Sequence, residues 1–302
     1  MNPIYVAPIS FGLGDLVVSL PAIQALIAQN GDGFAPIWLV ARSAGQAALA
    51  ERIDGLTGSV DEGAFDPAQS GCRFIDLRDH PLQRDYWWGS LEFDHVYGAL
   101  TINEILARIC NDFGIDADFS QPAPLRAHRR SGVHNMVLFV TESDGPMKRW
   151  PAERWAALAQ TVRDAGSDVR LVTRAAASTE MLEIGIEEIV APTPGTAVDL
   201  LSNCRAVVGV DTGLTHIAVQ QSTPTVTICR DRPVFFRQWS HSRAVIGNRC
   251  DEACLSLEQD SAHHARENLR GFVWRARTCP VGGPCMASIT APQVVAALQE
   301  LW

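Results

Sequence analysis

The chain has 302 residues, of which 47% are hydrophobic and 20% charged, and its formal net charge is −9. This composition excludes an intrinsically disordered chain, and the length suffices for two domains with a core each. No stretch approaches 18 uninterrupted apolar residues and no secretory signal pattern opens the chain, so we expect a cytoplasmic protein. Any membrane contact is expected to be peripheral, at the inner face of the inner membrane.

Strands and helices alternate along the first part of the chain. Apolar runs predict strands at 3–8, 36–41 and 73–77, and helical patterns are found at 15–29, 43–53 and 101–113. This alternation is typical of an α/β domain. The segment 121–132 is rich in Pro and Arg, so we place a domain boundary there and predict domains 1–128 and 129–302.

A second α/β pattern follows the boundary. It begins with a strand near 135 and a helix from Pro151 to Arg163, and further strands are predicted at 168–173, 205–210 and 224–228. The tail, Ala291–Trp302, is predicted to be a closing helix.

The first predicted strand is followed by Gly12-Leu-Gly14-Asp15. A dinucleotide-binding fingerprint would need a third glycine where this chain has Val17, and Asp15 would repel a diphosphate. Two interpretations of Asp15 therefore remain: it caps the helix, or it faces a hydroxyl group and acts as a general base.

Lys148 is the only lysine among 25 basic residues. Codon bias explains the 24 arginines without explaining this exception. A compact ammonium group suits the neutralisation of one phosphate oxygen, so we predict an anion-binding role rather than a solvated surface position.

The stretch Val208–Ala218 predicts a buried strand, a tight turn and the start of a helix. Asp211, Thr212 and Gly213 form the turn, and Leu214 and His216 lie in the first helical turn. A helix N-terminus with a glycine favours a phosphate group, although Asp211 and Thr212 also suit a simple cap.

Taken together, these motifs resemble glycosyltransferase family nine, the ADP-heptose heptosyltransferases. The resemblance rests on Gly12–Asp15, on Lys148–Trp155, on Val210–His216 and on the tail Cys279–Met286, which occur in the family's order. It implies a GT-B fold, in which two Rossmann-like domains face a cleft, and an inverting, metal-independent transfer from ADP-heptose.

The resemblance also implies roles for individual residues. Asp15 is expected to be the base, with Gly12 and Gly14 in the loop beside it, and Lys148 is expected to bind the diphosphate. The remaining expected donor-site residues are Thr141, Asp211, Thr212, Gly213, Leu214 and His216. Cys229–Pro233 departs from the family's Gly-Pro-Thr type loop, which puts the donor sugar in doubt.

The acceptor is left open by the sequence. Lipopolysaccharide core or a related cell-surface glycan is the first expectation, and a protein acceptor is an alternative; no nucleic acid is expected. Residues 1–128 carry 7 Arg and 16 acidic residues, a net charge of −9, which disfavours a polyanionic acceptor unless Arg73, Arg78 and Arg84 form a basic patch. A sugar-nucleotide epimerase and a non-catalytic donor-binding partner are further alternatives.

The eight cysteines fall into two groups. Cys72, Cys110, Cys204 and Cys229 lie among apolar residues and are predicted to be small buried side chains. Cys250, Cys254, Cys279 and Cys285 lie close together in the sequence, and four thiolates suit a structural zinc or iron ion. A set of cysteines without metal remains the equal alternative, and no cofactor is expected for catalysis.

Overall fold

The N-terminal half contains a four-stranded parallel sheet in a computed structural model that describes residues 2–31, 35–68, 71–84, 91–143, 145–174, 185–230, 234–248 and 283–302. The strand order is β3-β2-β1-β4, with β1 (Ile4–Ala7), β2 (Ile37–Ala41), β3 (Gly58–Asp61) and β4 (Arg73–Asp76). Three of these strands match the predicted ones. Sequence analysis missed β3 because it lacks an apolar run and none of its four residues is buried.

The helices described in this half are α1 (Leu13–Asn30), α2 (Ala44–Ala50), α3 (Pro81–Arg84), α4 (Leu91–Tyr97) and α5 (Ile102–Asp112). Three of these five described helices, α1, α2 and α5, lie at the predicted places, and the other two were not predicted. Short 3-10 turns lie at Glu62–Ala64 and Leu77–Asp79. The first helix begins two residues earlier than predicted, which places Asp15 within its first turn.

The second half contains a six-stranded parallel sheet of order β10-β9-β8-β5-β6-β7. Its strands are β5 (Met136–Val140), β6 (Asp168–Thr173), β7 (Glu188–Val190), β8 (Ala206–Val210), β9 (Thr225–Cys229) and β10 (Ser242–Ile246). The described helices are α6 (Ala152–Asp164), α7 (Pro194–Leu201), α8 (Gly213–Gln220), α9 (Pro284–Ser288) and α10 (Ala291–Gln299), and a 3-10 turn lies at Pro146–Lys148. The strands β7 and β10 are the two edges, and neither was predicted.

The two sheets lie on either side of the segment predicted to separate the domains, but their cores are not separate. One apolar cluster contains the buried faces of α1 and α5 and continues into α7, α8 and one face of the second sheet. A second cluster, with Trp155 at its centre, covers the other face of that sheet. The predicted boundary near residue 128 therefore separates two sheets that share apolar packing along α1 and α8.

A proline inside α1 is compensated by a side chain from the other half of the chain. Pro21 has no N–H, so it cannot make the helical hydrogen bond to the carbonyl oxygen of Val17. Gln220 of α8 donates from Nε2 to that oxygen at 3.1 Å, and its Oε1 accepts from the backbone N–H of Ala123 at 2.8 Å. Gln220 is fully buried, so these bonds join α1, α8 and the connecting segment.

An ion pair also joins the two halves. Arg52 follows α2, and its guanidinium donates two hydrogen bonds to Asp199 of α7, from Nη1 to Oδ1 at 2.9 Å and from Nη2 to Oδ2 at 3.0 Å. The backbone N–H of His128 donates to the same carboxylate at 2.8 Å. Burial alone would raise the pKa of Asp199, but these hydrogen bonds outweigh it and hold the pKa below its usual value.

The proposed basic patch is not supported by the positions of its members. Arg73 begins β4, whereas Arg78 lies beyond the other end of that strand. Arg78 is also paired with Glu62 at 2.9 Å and with Asp76 at 3.5 Å, so its charge is compensated. The side chain of Arg84 lies outside the described residues.

Among the helices of the described ranges, none combines the length and apolar character needed to cross a bilayer. Of the cysteines predicted to be small core residues, Cys110 and Cys229 are buried, whereas Cys72 and Cys204 are partly exposed. Burial raises the pKa of both the Cys110 and the Cys204 thiols to about 12, which keeps them protonated at neutral pH.

Candidate functional site

Asp15 occupies the third position of α1, at the carboxyl end of β1. Its Oδ2 accepts a hydrogen bond from the backbone N–H of Gly12 at 2.9 Å. A Cβ atom at position 12 would lie only 2.7 Å from that oxygen, so a larger residue there would displace the carboxylate. Burial raises the pKa of Asp15 to about 6 although the Gly12 hydrogen bond and the charge of Lys148 oppose the shift. The structure thus confirms the cap, and the raised pKa is compatible with the base interpretation, which stays a prediction.

Gly14 and Gly213 lie against each other at the N-termini of α1 and α8. A Cβ atom at Gly213 would lie 3.0 Å from the backbone nitrogen of Gly14, and one at Gly14 would lie 3.2 Å from Cδ2 of His216. Sequence analysis attributed Gly213 to close approach by a ligand. The structure shows a further reason for glycine here, because it permits close approach of the two helices and so brings both N-termini to one place; the approach of a ligand stays a prediction.

The carboxylate of Asp211 lies directly after β8 and binds two side chains. Its Oδ2 accepts from Nζ of Lys148 at 2.7 Å, and its Oδ1 is 2.9 Å from Nε2 of His216. Lys148 also donates to the backbone oxygen of Asp211 at 3.1 Å. Burial alone would raise the pKa of Asp211, but the charge of Lys148 and the His216 hydrogen bond hold it well below the usual range.

The other predicted donor-site residues lie at the same edge. Thr212 is the N-cap of α8 in extended conformation, yet its side chain makes no capping hydrogen bond. Leu214 follows in the first turn of α8 and is partly buried. Since Val140 pairs with Gly209, Thr141 directly follows β5 beside the end of β8, where it is buried. A simple cap therefore does not account for Asp211 or Thr212, because neither side chain caps the helix.

A buried tryptophan two residues further along anchors the segment that contains Lys148. Lys148 lies in the 3-10 turn after β5, and its side chain is 35% exposed, so its ammonium remains accessible. Trp150 is buried, and its indole Nε1 donates to the backbone oxygen of Ile289 at 3.0 Å. Its ring also packs edge-on against Trp155 of α6, with ring centroids 4.8 Å apart.

Arg237 was not found by sequence analysis. It lies between β9 and β10 and is 2% exposed, and its Nη2 is 3.3 Å from Nδ1 of His216 and 3.4 Å from the His216 backbone oxygen. Burial lowers the pKa of Arg237 to about 9, which still leaves it charged at neutral pH. The available signal was a single charge within the aromatic run Phe235–Trp239.

The arrangement combines two chemical capacities across the two sheets. Asp15 is a carboxyl group that accepts a proton near neutral pH. On the opposite side, Lys148 and the N-terminus of α8 offer positive charge to an anion. A reaction that removes a proton from one group and releases a phosphate-bearing leaving group from another needs both.

The predicted metal site falls mostly outside the residues that the structure describes. Cys250, Cys254 and Cys279 lie outside the described residues, and Cys285 is a buried residue of α9. Within the described ranges, no group of three or more His, Cys, Asp or Glu side chains forms a metal site.

Comparison with known structures identifies the fold. The chain is similar to the glycosyl transferase family 9 protein from Veillonella parvula, with a TM-score of 0.68 and 14% identity over 99% of this chain and 97% of that one. It is also similar to the E. coli heptosyltransferase WaaC with ADP-2-deoxy-2-fluoro heptose, with a TM-score of 0.63, 13% identity and 99% of each chain covered. The two facing parallel α/β sheets thus form a GT-B fold, which confirms the fold class predicted from the sequence.

The family follows from the sequence. Residues 106–265 match the model of glycosyltransferase family 9 (heptosyltransferase), and this match covers more than half of the chain. The chain belongs to this family. It is 28% identical over 228 residues to lipopolysaccharide heptosyltransferase 1 of Pseudomonas aeruginosa, and the match covers 71% of this chain and 60% of that protein.

Proposed function

We propose that this chain is an inverting glycosyltransferase that moves heptose, or a related sugar, from ADP-heptose to an acceptor hydroxyl group. The observation that carries the proposal is the meeting of Asp15 from one half with the Lys148–Asp211 pair from the other. Family membership supports the reaction class, and the ADP-heptose analogue named with the E. coli structure supports the donor.

In the proposed reaction, the acceptor oxygen forms a bond to the anomeric carbon while the bond to the diphosphate breaks. Asp15 takes the proton of the acceptor hydroxyl, and its raised pKa suits a base that works near neutral pH. The departing ADP gains negative charge, which Lys148 and the backbone N–H groups at the start of α8 stabilise. One side of the cleft thus receives the proton and the other the leaving group.

The test is consumption of ADP-heptose with and without acceptor, by wild type and by Asp15→Asn. We expect transfer that requires an acceptor, and a loss of about 100-fold or more in Asp15→Asn with little change in donor binding, because the base is removed while the size is kept. Asp118→Asn is the matched control, since Asp118 also accepts a backbone N–H, from Ser120 at 2.8 Å, but is exposed.

Three other outcomes would contradict the proposal. Change of the donor sugar without any acceptor would indicate an epimerase. Donor binding without turnover would indicate a non-catalytic partner. Wild-type turnover in Asp15→Asn would remove the base from the proposed mechanism.

For the acceptor we propose a cell-surface glycan, with lipopolysaccharide core as the first candidate because of the similarity to the Pseudomonas enzyme. The net charge of −9 in residues 1–128 favours a second candidate, a neutral glycan or a protein. Repulsion by this domain predicts poor transfer to phosphorylated core at low salt and an increase when salt screens charges over about 8–10 Å. Efficient core transfer that falls with salt would indicate local attraction instead.

We further propose that the four C-terminal cysteines, Cys250, Cys254, Cys279 and Cys285, hold a structural zinc or iron ion. Four thiolates in a short segment are a typical donor set for either metal. Elemental analysis of protein purified without chelators should find close to one ion per chain. Metal-free protein with normal stability would leave these residues as ordinary cysteines.

A further inference from the structure

The described site contains a continuous row of four polar side chains. Lys148 Nζ contacts Asp211 Oδ2 at 2.7 Å, Asp211 Oδ1 lies 2.9 Å from His216 Nε2, and His216 Nδ1 lies 3.3 Å from Arg237 Nη2. The row runs from the accessible ammonium of Lys148 to the buried guanidinium of Arg237. The last member has no assigned role in the proposed reaction.

Hydrogen-bond chemistry fixes the state of the histidine within this row. Arginine has donors only, so the contact with Arg237 requires an unprotonated Nδ1 on His216. A neutral imidazole then carries its proton on Nε2, which lies beside the carboxylate of Asp211. Burial lowers the pKa of His216 although Asp211 opposes the shift, and Arg237 and Lys148 lower it further, so the ring is neutral at pH 7.

The guanidinium of Arg237 makes fewer hydrogen bonds than expected for a buried arginine with a purely structural role. Its Nε and Nη1 atoms are buried and have no hydrogen-bond partner in the part of the chain that the structure describes. Its face lies near the ring of Trp239, with Cζ 5.4 Å from the ring centroid. An unpaired buried charge is costly, and an apolar side chain of similar volume is often as stable or more stable. Stability alone therefore does not explain an arginine here.

The segment that carries Arg237 is anchored on the N-terminal half of the chain. The backbone oxygen of Val234 accepts from the N–H of Ile102 at 2.7 Å, and Nε1 of Trp239 donates to the oxygen of Phe119 at 3.3 Å. These bonds lie on either side of Arg237 and limit its movement. A fixed donor is what orientation of an imidazole ring requires.

We propose that Arg237 is a positioning residue for the proposed transfer: its donation to Nδ1 holds His216 in the Nε2–H form, which in turn orients Asp211 and thereby Lys148. The inference rests on the proposed function for its catalytic consequence. Its structural consequence, the protonation state of His216, is independent of any activity.

The experiment compares Arg237→Met, Arg237→Lys and the control Arg243→Met. Arg243 lies on β10 and pairs with Glu300 at 2.8 Å, so the control removes an arginine of the same segment of the chain. The first measurement is an NMR titration of the His216 ring nitrogens, assigned by the loss of their signals in His216→Gln. The charged and titratable groups around this ring are Asp211, Lys148 and Arg237, together with Asp15 on the adjoining α1.

In the wild type we expect a protonated Nε2 and an unprotonated Nδ1. In Arg237→Met we expect a higher pKa of His216 and a larger fraction protonated at Nδ1, because a donor and a positive charge are lost while Asp211 still accepts from Nε2–H. The thermal midpoint should stay unchanged or rise, since two unpaired donors are removed. Turnover should fall by about 10- to 100-fold, the range typical for loss of a hydrogen bond to the second ring nitrogen of a functional histidine. The change in donor KM should be smaller. Arg237→Lys should restore part of each effect.

Two results would overturn the inference. If the tautomer and the pKa of His216 are unchanged in Arg237→Met, the arginine does not control the ring. If the thermal midpoint drops sharply while turnover per folded molecule is unchanged, Arg237 is a structural residue. Because titration and melting need no substrate, an inactive wild-type protein would count against the proposed function and leave this test intact.

Discussion

The carboxyl group of Asp15 is buried, so its ionisation is unfavourable in the folded chain. This predicts how the free energy of unfolding changes with pH. The folded-state pKa of about 6 lies above the ordinary value of 3.8, so the folded chain binds more protons than the unfolded chain between these two values. Stability is therefore lost as the pH rises through this window. The same group supplies the base in the proposed reaction.

Asp15→Asn should accordingly stabilise the protein at pH 7 by up to about 3 kcal/mol, and the gain should disappear below about pH 4. The rate constant kcat/KM of the wild type should rise with pH around 6, and the variant should lack this rise. Denaturant unfolding at several pH values and a pH–rate profile measure the two effects. A variant that is less stable than wild type at pH 7 would contradict the raised pKa.

Lys148 is expected to act as a point charge. Lys148→Ala should lower turnover by about 100-fold or more and weaken donor binding, because the charge that stabilises the departing diphosphate is lost. Lys148→Arg should recover only part of the turnover and donor binding that Lys148→Ala loses, since a planar guanidinium cannot keep both contacts with Asp211. Arg149→Ala is the control, because Arg149 is the adjacent exposed cation. Full activity in Lys148→Arg would refute the argument from the single lysine.

The sequence singles out Asp15, Lys148 and Asp211 because each stands out locally: Asp15 follows a glycine-rich turn, Asp211 directly follows a strand, and Lys148 is the only lysine. Arg237 gave no such signal, since its importance comes from a contact with a residue 21 positions away. The contact of Gly213 with the other helix was missed for the same reason. Its neighbour, Gly14, is remote in sequence, and a single helix gives no information on which other helix it meets.

At the scale of elements, α1 depends on α8 for one of its hydrogen bonds. Gln220 replaces the N–H that Pro21 lacks, and it also binds Ala123. Gln220→Leu should cost about 1–3 kcal/mol, because a buried carbonyl oxygen and a buried N–H lose their partner. In Pro21→Ala the helix supplies its own N–H to Val17, so the double variant should lose less than the sum of the two single variants.

A double-mutant cycle by denaturant unfolding measures this coupling. Additive effects of Pro21→Ala and Gln220→Leu would show that the two positions are independent and that the hydrogen bond to Val17 contributes nothing. Pro21 was visible in the sequence, inside the predicted helix 15–29. Its compensation was not, because the partner lies about 200 residues further along the chain.

The central strands were predictable, whereas three of the four edge strands were not; the exception is β4. The strands β5, β8 and β9 are buried almost throughout, so they form apolar runs that periodicity detects. The edge strands β3, β7 and β10 have one neighbour each and include exposed residues. Their pairing comes from the adjacent strand rather than from their own composition, which is why sequence analysis left them out.

At the scale of the whole molecule, Arg52 and Asp199 connect the two halves away from the strand ends of the site. Arg52→Met leaves a mostly buried carboxylate without its partner, so we expect a loss of about 3–5 kcal/mol. Cleavage by trypsin within 121–132 should also become faster, because the carboxylate binds the backbone of His128. Arg126→Met is the control for the unfolding measurement alone, since its own pair with Asp54 is exposed but the substitution removes a trypsin site from this segment. Unchanged stability in Arg52→Met would show that the shared apolar core suffices.

The contact between Gly14 and Gly213 has a thermodynamic consequence. It brings together two helix N-termini, each equivalent to about half a positive charge. The positive ends of the two helix dipoles therefore repel each other. Negative charge at this junction relieves the repulsion, and a bound diphosphate adds to what Asp15 and Asp211 supply. Ligand binding and the association of the two halves are then thermodynamically linked. ADP should raise the melting temperature of the whole chain. A substitution that separates the two helices should weaken ADP binding by the same free energy by which ADP stabilises their association.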